Sequence, residues 1–271
     1  MRHLHGIKER PAGIDLIIPQ VNLSVRPAAY REYLDAHPRV VNRALVNVRR
    51  TTYSQNRVTR DDAYDGPVVV KTNANFGGLP EHRTMMRSPM PVKLRYVVRS
   101  VGRRIAQRLA RGDAAKLAHA DVVAPKDYRV FDSKRELPDA VFENDALIVE
   151  RFRPERRGEQ FISRNHSFLG SGGFTVWECS SQPLIRGDPK AVTEIHADDA
   201  QIKGVARSLG MEYGKLDYGM DENGELVLFD VNPTPCSNWT VWPEIKAQMV
   251  AEMAKGIFDW FPEMRERSAA G

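Results

Sequence analysis

Only two cysteines, Cys179 and Cys236, occur in 271 residues, too few for a disulfide framework. No apolar run approaches the roughly 18 residues of a membrane-spanning helix, so none is expected. The opening Met1-Arg2-His3-Leu4-His5-Gly6 lacks the apolar core of an export signal. A reducing cytoplasm fits these absences. Internal repeats and low-complexity tracts are missing too. Apolar residues still make up 42% of the chain, which excludes general disorder. The length suits one large or two smaller domains. Net charge is +5, modest in sum but unevenly placed.

The most informative segment is near the C-terminus. Tyr213 to Met220 and Glu225 to Pro233 are β-prone runs flanking Asn223-Gly224, the strongest short-range hairpin signal. A two-residue loop there would pair Glu222 with Glu225, Met220 with Val227, Tyr218 with Phe229 and Leu216 with Val231. That face is apolar and expected to be buried. The other face sets Asp217 opposite Asp230 and Lys215 opposite Asn232. Cross-strand Cβ atoms lie about 4.5–5.5 Å apart, and like charges there repel. Two carboxylates with an amide oxygen nearby are hard ligands suited to Mg²⁺. The competing interpretation is a solvated strand face.

Earlier segments alternate strand and helix. Ile14 to Pro19 predicts a short strand, Pro27 to Ala36 a helix and Val40-Val41 a second strand, an α/β rhythm. Gly66 to Lys71 predicts a strand ending in lysine, followed by the small-residue loop Thr72 to Gly78. Such a loop can present backbone N–H groups to phosphates, or be an ordinary turn. Tyr128 to Phe131 and Ala146 to Glu150 predict further strands, and Gln160 to Arg164 and Gly173 to Trp177 an antiparallel pair. Arg164 and Arg186 are candidates for a substrate carboxylate or phosphate, because the guanidinium fork suits planar anions. Helices are expected over 198–209, leading into the hairpin, and over 242–258.

Gly214-Lys215-Leu216-Asp217-Tyr218-Gly219 followed by Asp230-Val231-Asn232-Pro233-Thr234-Pro235 resembles the metal-binding hairpin of ATP-grasp enzymes. Asp230 stands where that family usually has Glu. The resemblance covers roughly residues 40–240. It implies ATP and Mg²⁺ as cofactors, with Asp217, Asp230 and Asn232 as metal ligands and Lys215 at the transferred phosphoryl group. It also implies that Lys71 and the loop bearing Asn75, Gly77 and Gly78 meet the nucleotide phosphates. Glu150, with the backbone at Arg151 and Phe152, matches the adenine-reading hinge, and Glu159 the ribose-binding acid. The family's earlier lysine is absent, since residues 42–50 offer only arginines. The implied architecture is α/β (α+β), with an ATP-grasp fold of two subdomains, 51–149 and 150–271, behind a shortened Rossmann-like portion at 1–50.

Residues 80–126 resemble an insertion relative to that family. Within them Val92, Leu94, Val97, Val98, Val101, Ile105 and Leu109 recur at helical period. Lys93, Arg95, Arg99, Arg103, Arg104, Arg108 and Arg111 accompany them without an acid. Unpaired like charges on one helix oppose its formation, so segment 92–111 is expected to meet an acidic partner or an anionic substrate near the site mouth. A solvated arginine face over a buried stripe is the plain alternative.

Four functions are weighed. The first is an ATP-dependent ligase that activates a small-molecule or peptide carboxylate as an acyl phosphate for attack by an amine. The second is a small-molecule kinase using the same machinery. The third is a degenerate nucleotide-binding protein. The fourth is a nucleic-acid or anionic-surface binder acting through the arginine helix, ranked lowest because it leaves the opposed acids unexplained.

Overall fold

Residues 6–9, 12–185, 192–196, 200–235 and 243–263 are described in the computed structural model of the chain. The α/β class expected from the sequence is observed, with strands gathered into two antiparallel sheets. The expected strand–helix–strand start is present in reduced form. Helix α1 (Ala28–Asp35) forms, but the flanking strands shrink to one parallel bridge between Ile17 and Val40. Pro19 limits the first strand, and the second ends at Asn42, whose φ of 56° turns the chain away. Asn42 is buried and tied to the distant hairpin. Its side chain donates to Tyr213 O at 2.7 Å and accepts from the backbone N–H of Glu212 at 2.6 Å. A one-turn helix α2 (Arg50–Tyr53) follows.

Valines 68–70 are β-branched and buried, which suits a strand covered on both faces. They begin β1 (Val68–Thr72), the centre of a three-stranded sheet whose edges are β2 (Arg129–Phe131) and β3 (Leu147–Arg151). Between β1 and β2 lie α3 (Leu79–Arg87), α4 (Met90–Leu109) and α5 (Asp113–Ala118). Residues of α5 and the valines of β1 share one core. The short α6 (Asp139–Phe142) precedes β3 and adds Val141 to that core.

The second sheet has six strands: β4 (Glu155–Arg157), β5 (Gln160–Leu169), β6 (Gly172–Ser180), β7 (Val192–His196), β8 (Tyr213–Met220) and β9 (Leu226–Asn232). Its order is β7-β6-β5-β8-β9, with β4 paired to β5. Helix α7 (Ala200–Ser208) buries Ile202 and Ala206 against Leu216, Tyr218 and Val231. Helix α8 (Pro243–Ala254) places Met249 on Phe174 and Val176 of β6.

The hairpin differs from expectation at its tip. Asp221 and Glu225 close the turn through Asp221 N–H to Glu225 O at 2.9 Å, leaving three residues between them instead of two. Asp221 Oδ1 accepts the N–H groups of Asn223 and Glu225, and Gly224 takes a φ of 75°. The longer turn shifts the pairing by one, so Met220 meets Leu226 and Tyr218 meets Leu228. An irregularity beside Asp217 and Tyr218 then inserts Phe229 as an extra residue. Below it Asp217 faces Asp230, Leu216 faces Val231 and Lys215 faces Asn232, as the sequence predicts.

Helix α4 rules out the plain alternative of a buried apolar stripe. None of its residues is buried. Its contacts run through half-buried Tyr96, Ser100 and Arg103, while Leu94, Val98 and Leu109 are 57%, 66% and 78% exposed. Arg103 and Arg99 pair with Asp121, so the polar edge of the helix, and not its apolar stripe, rests on the body. Among the described residues no helix is long and apolar enough to cross a membrane.

Candidate functional site

Both sheets contribute walls to a cavity of about 480 Å³. From the first come Val69, Lys71 and the β3 exit Arg151 to Pro154; from the second come Ser163, Asn165, Glu178, Lys215, Asp217, Phe229, Asp230 and Asn232. Arg50, Phe76, Lys126 and Leu184 complete much of the rest. The hairpin irregularity matters here. It turns Phe229 from the expected core face to the cavity, beside Asp230, and moves Leu228 to the core side. Gly219 makes room, since a Cβ there would stand 2.8 Å from the Phe229 ring.

Three ion pairs organise the charged lining. Lys215 Nζ lies 2.8 Å from Asp217 Oδ1, Arg50 Nη2 lies 2.7 Å from Asp230 Oδ1, and Lys71 Nζ lies 2.8 Å from Glu150 Oε2. The opposed acids are therefore already compensated, one by Lys215 and the other by Arg50. Burial pushes the Asp217 carboxyl above its ordinary range and Asp230 adds to this, against the opposing pull of Lys215 and Arg50. Burial would lower the Lys215 ammonium, but Asp217, Asp230 and Glu178 together raise it. Glu150 is 3% exposed, and burial would raise it, yet Lys71 and Arg50 hold it below the usual carboxylate range.

Arg50 and Glu178 have no counterpart among the sequence-derived candidates. Arg50 donates to Thr72 O on β1, to the Tyr53 hydroxyl, to Phe229 O and to Asp230, so one buried guanidinium ties both sheets together. The stretch at 42–50, whose basic residues are all arginines, is the signal that marked its neighbourhood. Glu178 reaches the site because β5 lies between β6 and β8, which sets Asn165 across from Asp217 and Ser163 across from Glu178. Burial and the nearby Asp217 raise the Glu178 carboxyl. Its one sequence signal is an acid in the apolar run Val176 to Cys179.

Other candidates fall elsewhere. Lys71 lines the cavity, but buried Glu150 serves as its partner and is not in the lining. The hinge lines the cavity through Arg151 and Phe152, yet their N–H groups go to Asn56 O at 2.7 Å and Pro67 O at 2.8 Å, so they are not adenine donors in this conformation. Of the loop after β1, Phe76 alone lines the cavity. Asn75 is buried and bonded to Ser24, and Gly77 and Gly78 (φ 69° and 76°) form a tight turn. A Cβ on Gly77 would meet Val123 O at 2.5 Å, so close packing and the left-handed backbone demand glycine there. Glu159 is exposed in the turn between β4 and β5, away from the cavity lining. Arg164 is bound in bidentate fashion by Glu155 at 2.8 and 2.6 Å and stacks 4.2 Å over Trp177, so its fork is already filled. Arg186 lies outside the described residues.

The Lys71–Glu150 pair sets a pH expectation. Glu150 is held low in the folded chain, so its contribution is present above its unfolded value, about 4.3, and is lost as pH falls through the folded one. Asp217 and Glu178 are held high and act in the opposite sense, favouring the folded state less as pH rises. Glu150→Gln leaves Lys71 buried without its counter-charge and is expected to cost about 3–5 kcal/mol at neutral pH. The deficit should shrink below the carboxylate range. Urea denaturation of wild type and variant across pH checks this; a deficit independent of pH would contradict it.

Among the described residues no group of three or more His, Cys, Asp or Glu side chains converges to hold a metal. The donor set at the hairpin, two carboxylates and the Asn232 amide, instead matches the way Mg²⁺ is held by few protein oxygens with substrate phosphates filling the remainder. The Asn232 Oδ1 also accepts the Thr234 N–H at 2.9 Å, which fixes its orientation.

No family model matches this chain, and no curated protein does. Among solved structures it is similar to macrocyclase MdnC from Microcystis aeruginosa MRC, bound with precursor peptide MdnA, at 16% identity and a TM-score of 0.31, covering 45% of this chain and 42% of that one. It is similar to D-alanine–D-alanine ligase from Bacillus anthracis, complexed with ATP, at 17% identity and 0.32, covering 53% and 51%. The same ligase from Coxiella burnetii matches at 14% and 0.31, covering 55% and 46%. The macrocyclase and the ligases are ATP-grasp enzymes. The match spans about half of each of those chains or less.

Proposed function

We propose that this chain is an ATP- and Mg²⁺-dependent ligase of the ATP-grasp type, which activates a carboxylate as an acyl phosphate for attack by an amine. The observation that carries it is the cavity itself, where Arg50, Lys71 and Lys215 converge with the cross-strand pair Asp217 and Asp230. Its volume of about 480 Å³ suits a nucleotide-sized ligand. Phe76, Phe152 and Leu184 offer apolar surface for a base, and the lysines offer charge for phosphates. Residues 51–149 and 150–271 are then the two nucleotide-holding subdomains, preceded by a Rossmann-like portion within 1–50. A reducing cytoplasm is the compartment proposed.

The γ-phosphoryl group passes from ATP to the substrate carboxylate, giving ADP and an acyl phosphate. The amine then attacks the acyl carbon, forming the amide and releasing phosphate and a proton. Lys215 is proposed to face the phosphoryl oxygens, while Lys71 neutralises the nucleotide's phosphates with Glu150 holding it in place. Arg50 keeps Asp230 aimed at the cavity. Asp217, Asp230 and Asn232 would hold Mg²⁺, which when bound screens the negative charge of phosphoryl transfer. The carboxylate and amine are proposed to be small molecules or peptides.

Mg-ATP is expected to raise the melting temperature, by mass action at about 2.7 kcal/mol for a ligand at one hundred times its Kd, and more than Mg-GTP. ADP release should then require both a carboxylate and an amine. No shift with Mg-ATP removes the nucleotide reading; a stable phosphorylated product without an amide identifies a phosphotransferase instead.

A further inference from the structure

The α4 helix shows a combination that the cavity and its chemistry do not use. Leu94, Val98, Val101, Ile105 and Leu109 follow one another at intervals of three or four, so they form a single stripe along a helix about 30 Å long. All five stand in solvent, each close to half exposed or more. Arg95 and Arg99 flank one side of this ridge; Arg104 and Arg108 flank the other. Only Arg99 of these is ion-paired among the described residues, to Asp121 at 3.7 Å. From 82 to 112 the chain contains no acid. The neighbouring α3 adds exposed Met85 and Met86 on the same element pair.

Each candidate cover must satisfy both features. Nucleic acid would neutralise the arginines but leaves the aliphatic ridge in water. A second copy of the chain would bury the ridge but oppose two arginine rows with no acid between them, which like-charge repulsion disfavours. The ridge projects from α3 and α5 with all five side chains about half exposed or more, so it presents a raised surface and not a groove for an extended peptide. A deformable surface with an anionic face and an apolar interior meets both demands. Aliphatic side chains enter the acyl boundary while flanking guanidinium groups remain at the headgroups. With so many arginines α4 lies along such a surface and does not span it.

We infer that α4 is a peripheral docking element for an anionic lipid bilayer, held parallel to the membrane plane by its exposed aliphatic ridge and arginine flanks. This goes beyond the nucleotide chemistry and does not rest on it, since no α4 residue lines the cavity.

The full chain is tested by co-sedimentation with vesicles of phosphatidylcholine alone and of phosphatidylcholine with phosphatidylglycerol. Binding is expected to the anionic vesicles only and to weaken with salt. Arg95→Glu, Arg104→Glu and Arg108→Glu together should lower the partition coefficient by about 100-fold or more. Leu94→Ser, Val98→Ser and Ile105→Ser together should lower it by at least about 10-fold. Hydrogen exchange on the unmodified chain supplies a readout free of folding effects: residues 90–109 should gain protection with anionic vesicles and not with neutral ones. No sedimentation, unchanged exchange, or a ridge variant that binds like wild type overturns the inference. So does a solution dimer that the ridge variant dissociates, because a second copy would then be the occupant, or an acidic protein that protects α4 when anionic vesicles do not.

Discussion

Asp217→Asn is expected to lower ATP-dependent turnover by roughly 10²–10³-fold, the scale on which single preorganised charge-stabilising groups act. The amide keeps the size and one acceptor oxygen of the carboxylate but removes its charge. In the wild-type chain that charge sits opposite Asp230 and 2.8 Å from Lys215. Its loss weakens the hard-oxygen set available to Mg²⁺ and leaves Lys215 free to bind phosphate in the wrong place. Stability should change little, by about 1 kcal/mol, because two effects oppose each other. Burial disfavours the ionised Asp217, so neutralising it removes a penalty, while Lys215 loses its nearest partner. The two explanations for lost activity separate on one readout. A metal-holding role predicts that the Mg²⁺ concentration needed for half-maximal activity rises at least about 10-fold; a purely structural partner of Lys215 predicts no change. The wild type should also gain activity as pH climbs through the raised carboxylate range of Asp217, since the deprotonated form holds the cation. Unchanged turnover and Mg²⁺ dependence in the variant would remove Asp217 from the site.

The Asp217–Asp230 opposition was legible in sequence for a partly accidental reason. Counting outward from a two-residue loop gives the right pairing, yet the actual turn is one residue longer and the inserted Phe229 restores the count. Pattern could not reveal this. Leu226-Val227-Leu228-Phe229 is apolar on both faces, so either register buries an apolar side chain, and period-two alternation carries no information there. The acids were readable because a charged residue on a strand otherwise apolar identifies a face unaided.

Positions that depend on long-range assembly were not readable. Glu178 lies dozens of residues from the hairpin and joins it only through the order β6-β5-β8. Spacing after Glu150 selects Glu159, but the β4–β5 turn carries that residue to an exposed tip. The buried acid nearby is Glu155, which is occupied by Arg164. The helical period of α4 identified which residues share a stripe. It could not say which stripe meets the body, because that is decided by Asp121 and its pairing with Arg103.

Arg50→Met is expected to destabilise the chain by about 3–5 kcal/mol, the scale of a broken buried ion pair. Arg50 is 4% exposed, and its donors reach Thr72 O, Phe229 O and Asp230 Oδ1. Burial would lower its pKa, but Tyr53, Asp230, Tyr128 and Glu150 more than offset that, so the charge is fixed. Methionine fills much of the volume while stranding two carbonyls and a carboxylate. Arg50→Lys should recover little, because one ammonium cannot span acceptors arranged for a planar fork. Adding Asp230→Asn to Arg50→Met should return part of the loss, since the stranded charge disappears, and a double-mutant cycle should give a coupling of about 1–3 kcal/mol. Urea denaturation measures all of these. If Arg50→Lys proves as stable as wild type, the fork geometry is unnecessary and Arg50 acts only as a charge. If the cycle shows no coupling, Arg50 anchors the backbone of β9 alone, and the aim of Asp230 into the cavity must come from the strand itself.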